Sequence, residues 1–132
     1  MALVRRMVAG LLQRSGRVLL CHRRADRDFY PGVWDLPGGH VQAGESIMDA
    51  LARELREELG IVPQLAQDAP FWTFEADGLH LFVYLIHHWQ GEARNAAPDE
   101  HDKIAWVSFE ELSGLDLADP SYSEMLARAL DP

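Results

Sequence analysis

The sequence predicts an α/β (α+β) fold, a mixed β-sheet covered by helices on both sides. Three observations lead there. Segments of strand-like apolar patterning stand both before and after one amphipathic helix. Turn signals separate them: a polar turn ending at Gly16, the Tyr30-Pro31-Gly32 run and Asp77-Gly78. A second helical pattern closes the chain at Ser121–Leu130.

Leu3–Leu12 and Arg17–His22 read as strands around Gln13–Gly16. Asp26–Gly32 reads as a loop, and Val33–Leu36 as a short strand that Pro37-Gly38-Gly39 breaks. Ser46 is the N-cap of the central helix, with Asp49 at the third helical position, close to a capping box. The helix runs to Leu59 and stops at Gly60, the residue type that supplies a left-handed C-terminus. Phe71–Glu75 and Leu79–Trp89 are strands joined at Ala76-Asp77-Gly78, where Asp-Gly signals a hairpin. Glu92–Asp99 is a solvated loop, Ile104–Phe109 a strand, and Pro120 stands near the start of the last helix.

The 132 residues make one domain, 1–132, with enough chain to bury a core. A formal net charge of −9 argues against binding duplex nucleic acid by charge neutralisation. A small anion remains compatible if a cation mediates. Cys21 is the only cysteine, so no intrachain disulfide forms, which fits a reducing cytosol. The N-terminal MALVRRMVAGLL has an apolar run too short for a signal peptide, and no stretch spans a bilayer. The expectation is a cytoplasmic protein with no membrane partner.

The central helix carries Glu54, Glu57 and Glu58 in its final two turns. With Ile47 at 0° and about 100° per residue, Leu51, Leu55, Leu59 and Ala52 fall at roughly 40–140°, the buried stripe. The three glutamates fall between roughly 280° and 20°, a compact sector bordering that stripe. Ion pairs along the helix are one explanation, since Arg53 reaches Glu57 and Arg56 is nearby. Three terms oppose it. Glu54 and Glu58 are like charges four apart, acids in the last turn oppose the helix dipole, and Arg before Glu is the poorer order. Each is worth only a few tenths of a kcal/mol, but all share one sign. A divalent cation would reverse them, and carboxylate oxygens are what Mg²⁺ or Mn²⁺ prefers.

These residues resemble the Nudix box: Gly, five residues, Glu, seven residues, then Arg-Glu-apolar-any-Glu-Glu-any-Gly-apolar. Gly39, Glu45 and Arg53-Glu54-Leu55-Arg56-Glu57-Glu58-Leu59-Gly60-Ile61 fill every defined position. The preceding WDLPGG and the flanking strands agree with the wider family. The resemblance implies a Nudix-type α/β/α sandwich and a hydrolase of nucleoside diphosphates linked to another group, dependent on Mg²⁺ with Mn²⁺ as a substitute. Carried over residue by residue, it makes Glu57 and Glu58 metal ligands and Glu54 a ligand or the base that deprotonates water. Arg53 and Glu45 pair to fix the loop-helix-loop, the Gly38 carbonyl completes the metal shell, and Gly39 and Gly44 let the loop bend. Some relatives draw the base from a later loop, where Glu100 stands as a candidate beside its reading as a solvated acid.

The rest of the pocket is less determined. Arg23 and Arg24 contact phosphates or are surface charge. Among Phe29, Tyr30 and Trp34 an aromatic ring could stack on a base, although Trp34 also suits a strand core. Phe71, Trp72 and Phe74 read as strand packing. His40 sits at a variable box position, open to substrate contact. His87-His88 points to both sides of a strand, which does not suit a metal site, and Cys21 reads as a buried small hydrophobe.

The segment Asp119-Pro120-Ser121-Tyr122 forms one wall, with Asp119 and Tyr122 as base contacts. MutT-type enzymes, which act on oxidised guanine nucleotides, place an asparagine in this region; here there is none. The markers of ADP-ribose, dinucleoside polyphosphate, coenzyme A and NADH branches are also missing. That leaves a (deoxy)nucleoside triphosphate, cleaved to monophosphate and pyrophosphate. The alternatives are another dinucleotide or nucleotide-sugar substrate, or a nucleotide-sensing module, though such modules typically lose a box acid. A prenyl diphosphate isomerase would need a cysteine better placed than Cys21. Dimers are common among relatives, so a homodimer stays open.

Overall fold

The alternation of side chains along strand β1 (Arg5–Arg14) sorts the core into two layers. The computed structural model describes residues 4–28, 31–65 and 69–130. In β1, Val8 and Leu12 pack on one face while Ala9 and Leu11 pack on the other. The same period of two continues in β2 (Arg17–Arg23), where Leu19 and Cys21 oppose Val18 and Leu20. It continues again in β7 (Leu79–Ile86), where Tyr84 and Ile86 oppose Leu81 and Val83. One layer is covered by α1 (Ile47–Leu59) through Leu51, Leu55 and Leu59, the other by α2 (Phe109–Leu112) and α3 (Tyr122–Leu130) through Leu112, Met125 and Leu126. Helices on both faces of a mixed sheet are the architecture the sequence predicts.

The sheet is mixed because β1 runs parallel to β7 and antiparallel to its other partners. β6 (Trp72–Ala76) pairs with β7 through the Asp77-Gly78 turn, both residues at positive φ (52° and 76°), as a tight hairpin of primed type requires. β9 (His101–Ser108) covers the far edge of β2.

The site owes its position to a split between β1 and β2. They pair only at Gln13↔Val18 and Arg14↔Arg17. Beyond that, β2 takes β3 (Trp34–Asp35) and β1 takes β4 (Gly38–His40). Pro37-Gly38-Gly39 therefore does not break the chain out of the sheet, as the sequence suggests. The glycines form β4, with Gly38 opposite Ala9 and Gly39 opposite Val8. Proline sits at the step between the half-sheets, where its carbonyl accepts from the Gly10 amide (2.9 Å).

Other boundaries differ as well. The predicted strand Leu79–Trp89 ends at Ile86; its continuation β8 (His88–Gln90) pairs instead with β5 (Val62–Gln64), so His87 lies outside both strands. β9 starts at His101, ahead of Ile104, because its first residues find partners on β2 across a register shift. Phe109 begins α2 rather than ending a strand, because Ser108 and Glu111 form a capping box.

Helix α1 begins and ends as predicted. Ser46 Oγ accepts from the Asp49 amide (3.1 Å), and Gly60 adopts φ 70°. Leu51, Leu55 and Leu59 are fully buried. At roughly 1.5–3 kcal/mol each, their burial outweighs the tenths lost to badly placed acids. The helix forms despite its glutamates, leaving them available for another purpose.

Candidate metal and active site

Arg53 is the hub of the loop-helix-loop. Its Nε and Nη2 donate to the two carboxylate oxygens of Glu45 (2.8 and 3.0 Å), a bidentate pair. Nη1 donates to Glu54 Oε1 (2.9 Å) and reaches Glu57 Oε2 (3.4 Å), while Nη2 also meets the His40 carbonyl (3.0 Å). Hydrogen bonding to Glu45 raises the Arg53 pKa, and the same bond lowers that of Glu45. The expected pairing of Arg53 with Glu45 is present. It fastens the loop after β4 to the second turn of α1.

The glycines act differently from one another. Gly44 has φ 78° and open space around it, so it supplies a bend. Gly39 supplies none: it lies in β4, and a Cβ there would stand 2.5 Å from Glu54 Oε1. Its role is to let the strand pass against a carboxylate.

Glu58 is strongly perturbed. It is 3% exposed, and its Oε2 accepts from the Gly38 amide (2.8 Å). Its pKa stands well above the ordinary carboxylate range, first through burial, then through Glu54 and Glu100. Glu54 is in hydrogen-bond contact with it. Glu100 is raised as well, chiefly by burial. Glu58, Glu100 and His101 each bring one ligand atom within 4.8 Å of the others. Burial holds the His101 pKa down to about 4, so it gives these acids no positive charge near neutral pH. Oxygen donors crowded together, with the pKa values of Glu58 and Glu100 raised by burial, suit a divalent cation, whose charge would favour their ionised forms. Glu57 stands apart from this group, exposed and turned to Arg53.

Residues 91–100 bring Glu100 and His101 to α1. The Arg94 amide donates to the Leu59 carbonyl (3.1 Å) and the Ala96 amide to the Glu58 carbonyl (2.9 Å), satisfying two acceptors that the helix end leaves open. The chain then bonds to itself at Glu100 and His101, whose amides both donate to the Ala97 carbonyl. The segment read as a solvated loop is thus a strap clasped to the helix.

The predicted substrate contacts divide. Arg23 approaches Asp35 (4.0 Å) and, with Arg27, contributes the positive potential that helps depress His101. Arg27 lies 3.9 Å from Glu100 and was not anticipated. Arg24 turns away, to Asp26 (3.0 Å) and the Pro98 carbonyl (3.2 Å). Trp34 is half-buried, edge-on to His22 (5.0 Å), with Lys103 5.6 Å over its ring. The His40 side chain is exposed, and Tyr30 lies outside the described residues, as does Phe29.

Asp119 is engaged locally, accepting from the Ser121 amide (2.9 Å) and hydroxyl (2.7 Å). It belongs to a second cluster centred on Asp35. Segment 116–118 lies along Trp34 in parallel, and Tyr122 hydrogen-bonds to Asp35. The Asp35 pKa is raised, first by burial.

Sequence reasoning missed Asp35 and His101. Asp35 lies inside the quoted WDLPGG, and His101 directly follows Glu100. A polar residue flanking a motif was the available signal. Cys21 is fully buried as expected, and burial raises its thiol pKa. Among the described residues no helix is long and apolar enough to cross a membrane.

Comparison with known proteins follows the same lines. The NUDIX domain family model matches residues 2–129. The nucleoside triphosphatase NudI of Enterobacter sp. (strain 638) is 37% identical over 125 residues, covering 86% of this chain and 88% of that protein. NudI of Klebsiella pneumoniae (strain 342) is 39% identical over the same spans. Among solved structures, the MutT NUDIX hydrolase from Burkholderia pseudomallei superposes with a TM-score of 0.77 at 29% identity, over 96% of this chain and 98% of that one. The E. coli ORF135 protein gives 0.75 at 32% identity, over 99% and 95%. With the model matched over nearly its whole length, the chain belongs to the NUDIX hydrolase family.

Proposed function

We propose that this chain is a metal-dependent nucleoside triphosphate pyrophosphohydrolase, forming a nucleoside monophosphate and pyrophosphate. The observation that carries the reading is the convergence of Glu54 and Glu100 on the buried Glu58, whose own basic neighbour, His101, carries no charge near neutral pH. The nucleoside triphosphatase names of the relatives support the substrate class. Glu54, Glu57, Glu58 and the Gly38 carbonyl, with Glu100, are the groups that would hold Mg²⁺, or Mn²⁺ in its place. Bound there, the ion would neutralise phosphate charge and lower the pKa of a bound water.

The protein's own groups supply the rest. Arg53 pairs with Glu45 and holds Glu54. Glu100 or Glu54 takes the proton of the attacking water. Arg23 and Arg27 meet the phosphates, and their forked guanidinium groups suit such oxygens. Asp35, Asp119 and Tyr122 line the place for the base, with Trp34 beside them. A single domain acting on free nucleotides in the cytoplasm completes the reading.

The test is a pyrophosphate and phosphate release screen over (d)NTPs, oxidised dGTP, ADP-ribose, dinucleoside polyphosphates and nucleotide sugars, with Mg²⁺ and then Mn²⁺. Pyrophosphate from a triphosphate, lost in Glu58→Gln and Glu57→Gln, is the expected result. Nucleotide binding without turnover of any of these would refute the hydrolase reading in favour of a sensor.

A further inference from the structure

We propose that His101 is the positioning residue for Glu58, presenting its Nε2–H to Glu58 Oε1 and so fixing which way that carboxylate faces. The inference rests on the proposed metal role of Glu58. Both side chains are 4% exposed, and Nε2 lies 3.5 Å from Oε1. Glu58 Oε2 is already taken by the Gly38 amide. A donor on each oxygen would leave the carboxylate no freedom to rotate.

The other ring nitrogen decides the tautomer. Nδ1 is buried and has no hydrogen-bond partner. A proton there would be a buried donor without an acceptor, costing about 1–3 kcal/mol. It would also leave Nε2 as a bare lone pair facing Glu58 once that carboxyl is ionised to hold a cation. The opposite tautomer gives Glu58 a donor and leaves only the Nδ1 lone pair without a partner. The backbone holds the ring in place: the His101 amide donates to the Ala97 carbonyl (3.0 Å), and its own carbonyl accepts from Asn95 Nδ2 (2.7 Å). The same logic argues against His101 as a direct metal ligand. Ligation through Nε2 would put the proton on Nδ1, and ligating histidines normally donate that proton to an acceptor.

The experiment titrates the full chain with Mn²⁺, followed by EPR, for wild type, His101→Gln and His101→Leu. Glutamine keeps a donor; leucine fills the space without one. We expect leucine to weaken Mn²⁺ binding by about 10–100-fold and glutamine to stay within about threefold of wild type. Leucine binding as tightly as wild type, or both variants failing equally, would overturn the positioning role. So would nitrogen hyperfine coupling from a ¹⁵N-labelled histidine to the bound Mn²⁺, which would make His101 a ligand. The ring tautomer is read separately by ¹⁵N NMR of the metal-free wild type, where a proton on Nδ1 would also overturn the proposal. That second reading stands if a variant misfolds. It also stands if the wild type binds no Mn²⁺, a result that would count against the metal reading of the site.

Discussion

Replacing Glu58 by glutamine should make the metal-free protein more stable while abolishing metal binding. Glu58 is buried, and burial together with Glu54 and Glu100 holds its pKa far above that of an unfolded carboxylate. The sign follows from linkage: a group whose pKa is raised on folding stabilises most at low pH and loses that contribution as pH rises. The unfolded chain gives up the proton near pH 4.3, and each pH unit above that costs the folded state about 1.4 kcal/mol. At pH 7.5 the limit is about 4 kcal/mol, and relaxation of the surrounding acids should leave about 2–4. Glutamine removes that term, since its oxygen can accept from the Gly38 amide and it has no proton to lose. For a chain of this length the gain raises Tm by roughly 5–15 °C. Thermal melts of both proteins at pH 7.5 and pH 4.5, in EDTA, measure it. The difference should be large at the first pH and fall to about half a kcal/mol at the second, close to the pKa of the unfolded carboxyl. A variant that melts at or below wild type at pH 7.5 would refute the reasoning.

Three further outcomes follow. Arg53→Met breaks the pairing with Glu45 and Glu54, whose side chains are 15% and 14% exposed, and should lower stability by about 1–3 kcal/mol, between an exposed and a buried pair; an unchanged urea midpoint would contradict this. Gly39→Ala places a Cβ 2.5 Å from Glu54 Oε1, the movable end of a side chain, so stability should fall by only about 1 kcal/mol while Mn²⁺ affinity drops; the reverse pattern would sink it. In the Glu58→Gln background the depressed His101 pKa should dominate the acid limb. Its stabilisation is complete above the unfolded value near 6.5 and is lost as pH falls towards about 4. A further His101→Gln change should flatten that limb in pH-dependent melts.

What the sequence reveals depends on how local each feature is. The cap at Ser46, the stop at Gly60, the Asp77-Gly78 turn and the Arg53–Glu45 pair depend on residues close in the chain, and all are present. Features set by distant partners are hidden. Nothing in Pro37-Gly38-Gly39 says that β1 will accept it as a strand, because that depends on where β1 and β2 part. Asp35 looks like an ordinary strand-end acid until segment 116–118 folds beside it and brings Tyr122. His101 is silent for the same reason, since its meaning comes from Glu58, delivered from another element. The three glutamates also look equivalent on a helical wheel. In the structure they are not: Glu58 is buried, Glu54 is braced and Glu57 is exposed.

The clasp between the strap and the end of α1 offers a way to watch the site without any ligand. The amide protons of Arg94 and Ala96 are held by the Leu59 and Glu58 carbonyls. Those hydrogen bonds must open before the amides exchange with solvent, and opening them frees the segment that brings Glu100 beside Glu58. Two backbone protons, neither of them on a group proposed to bind metal, thus keep time for the loosening of the strap.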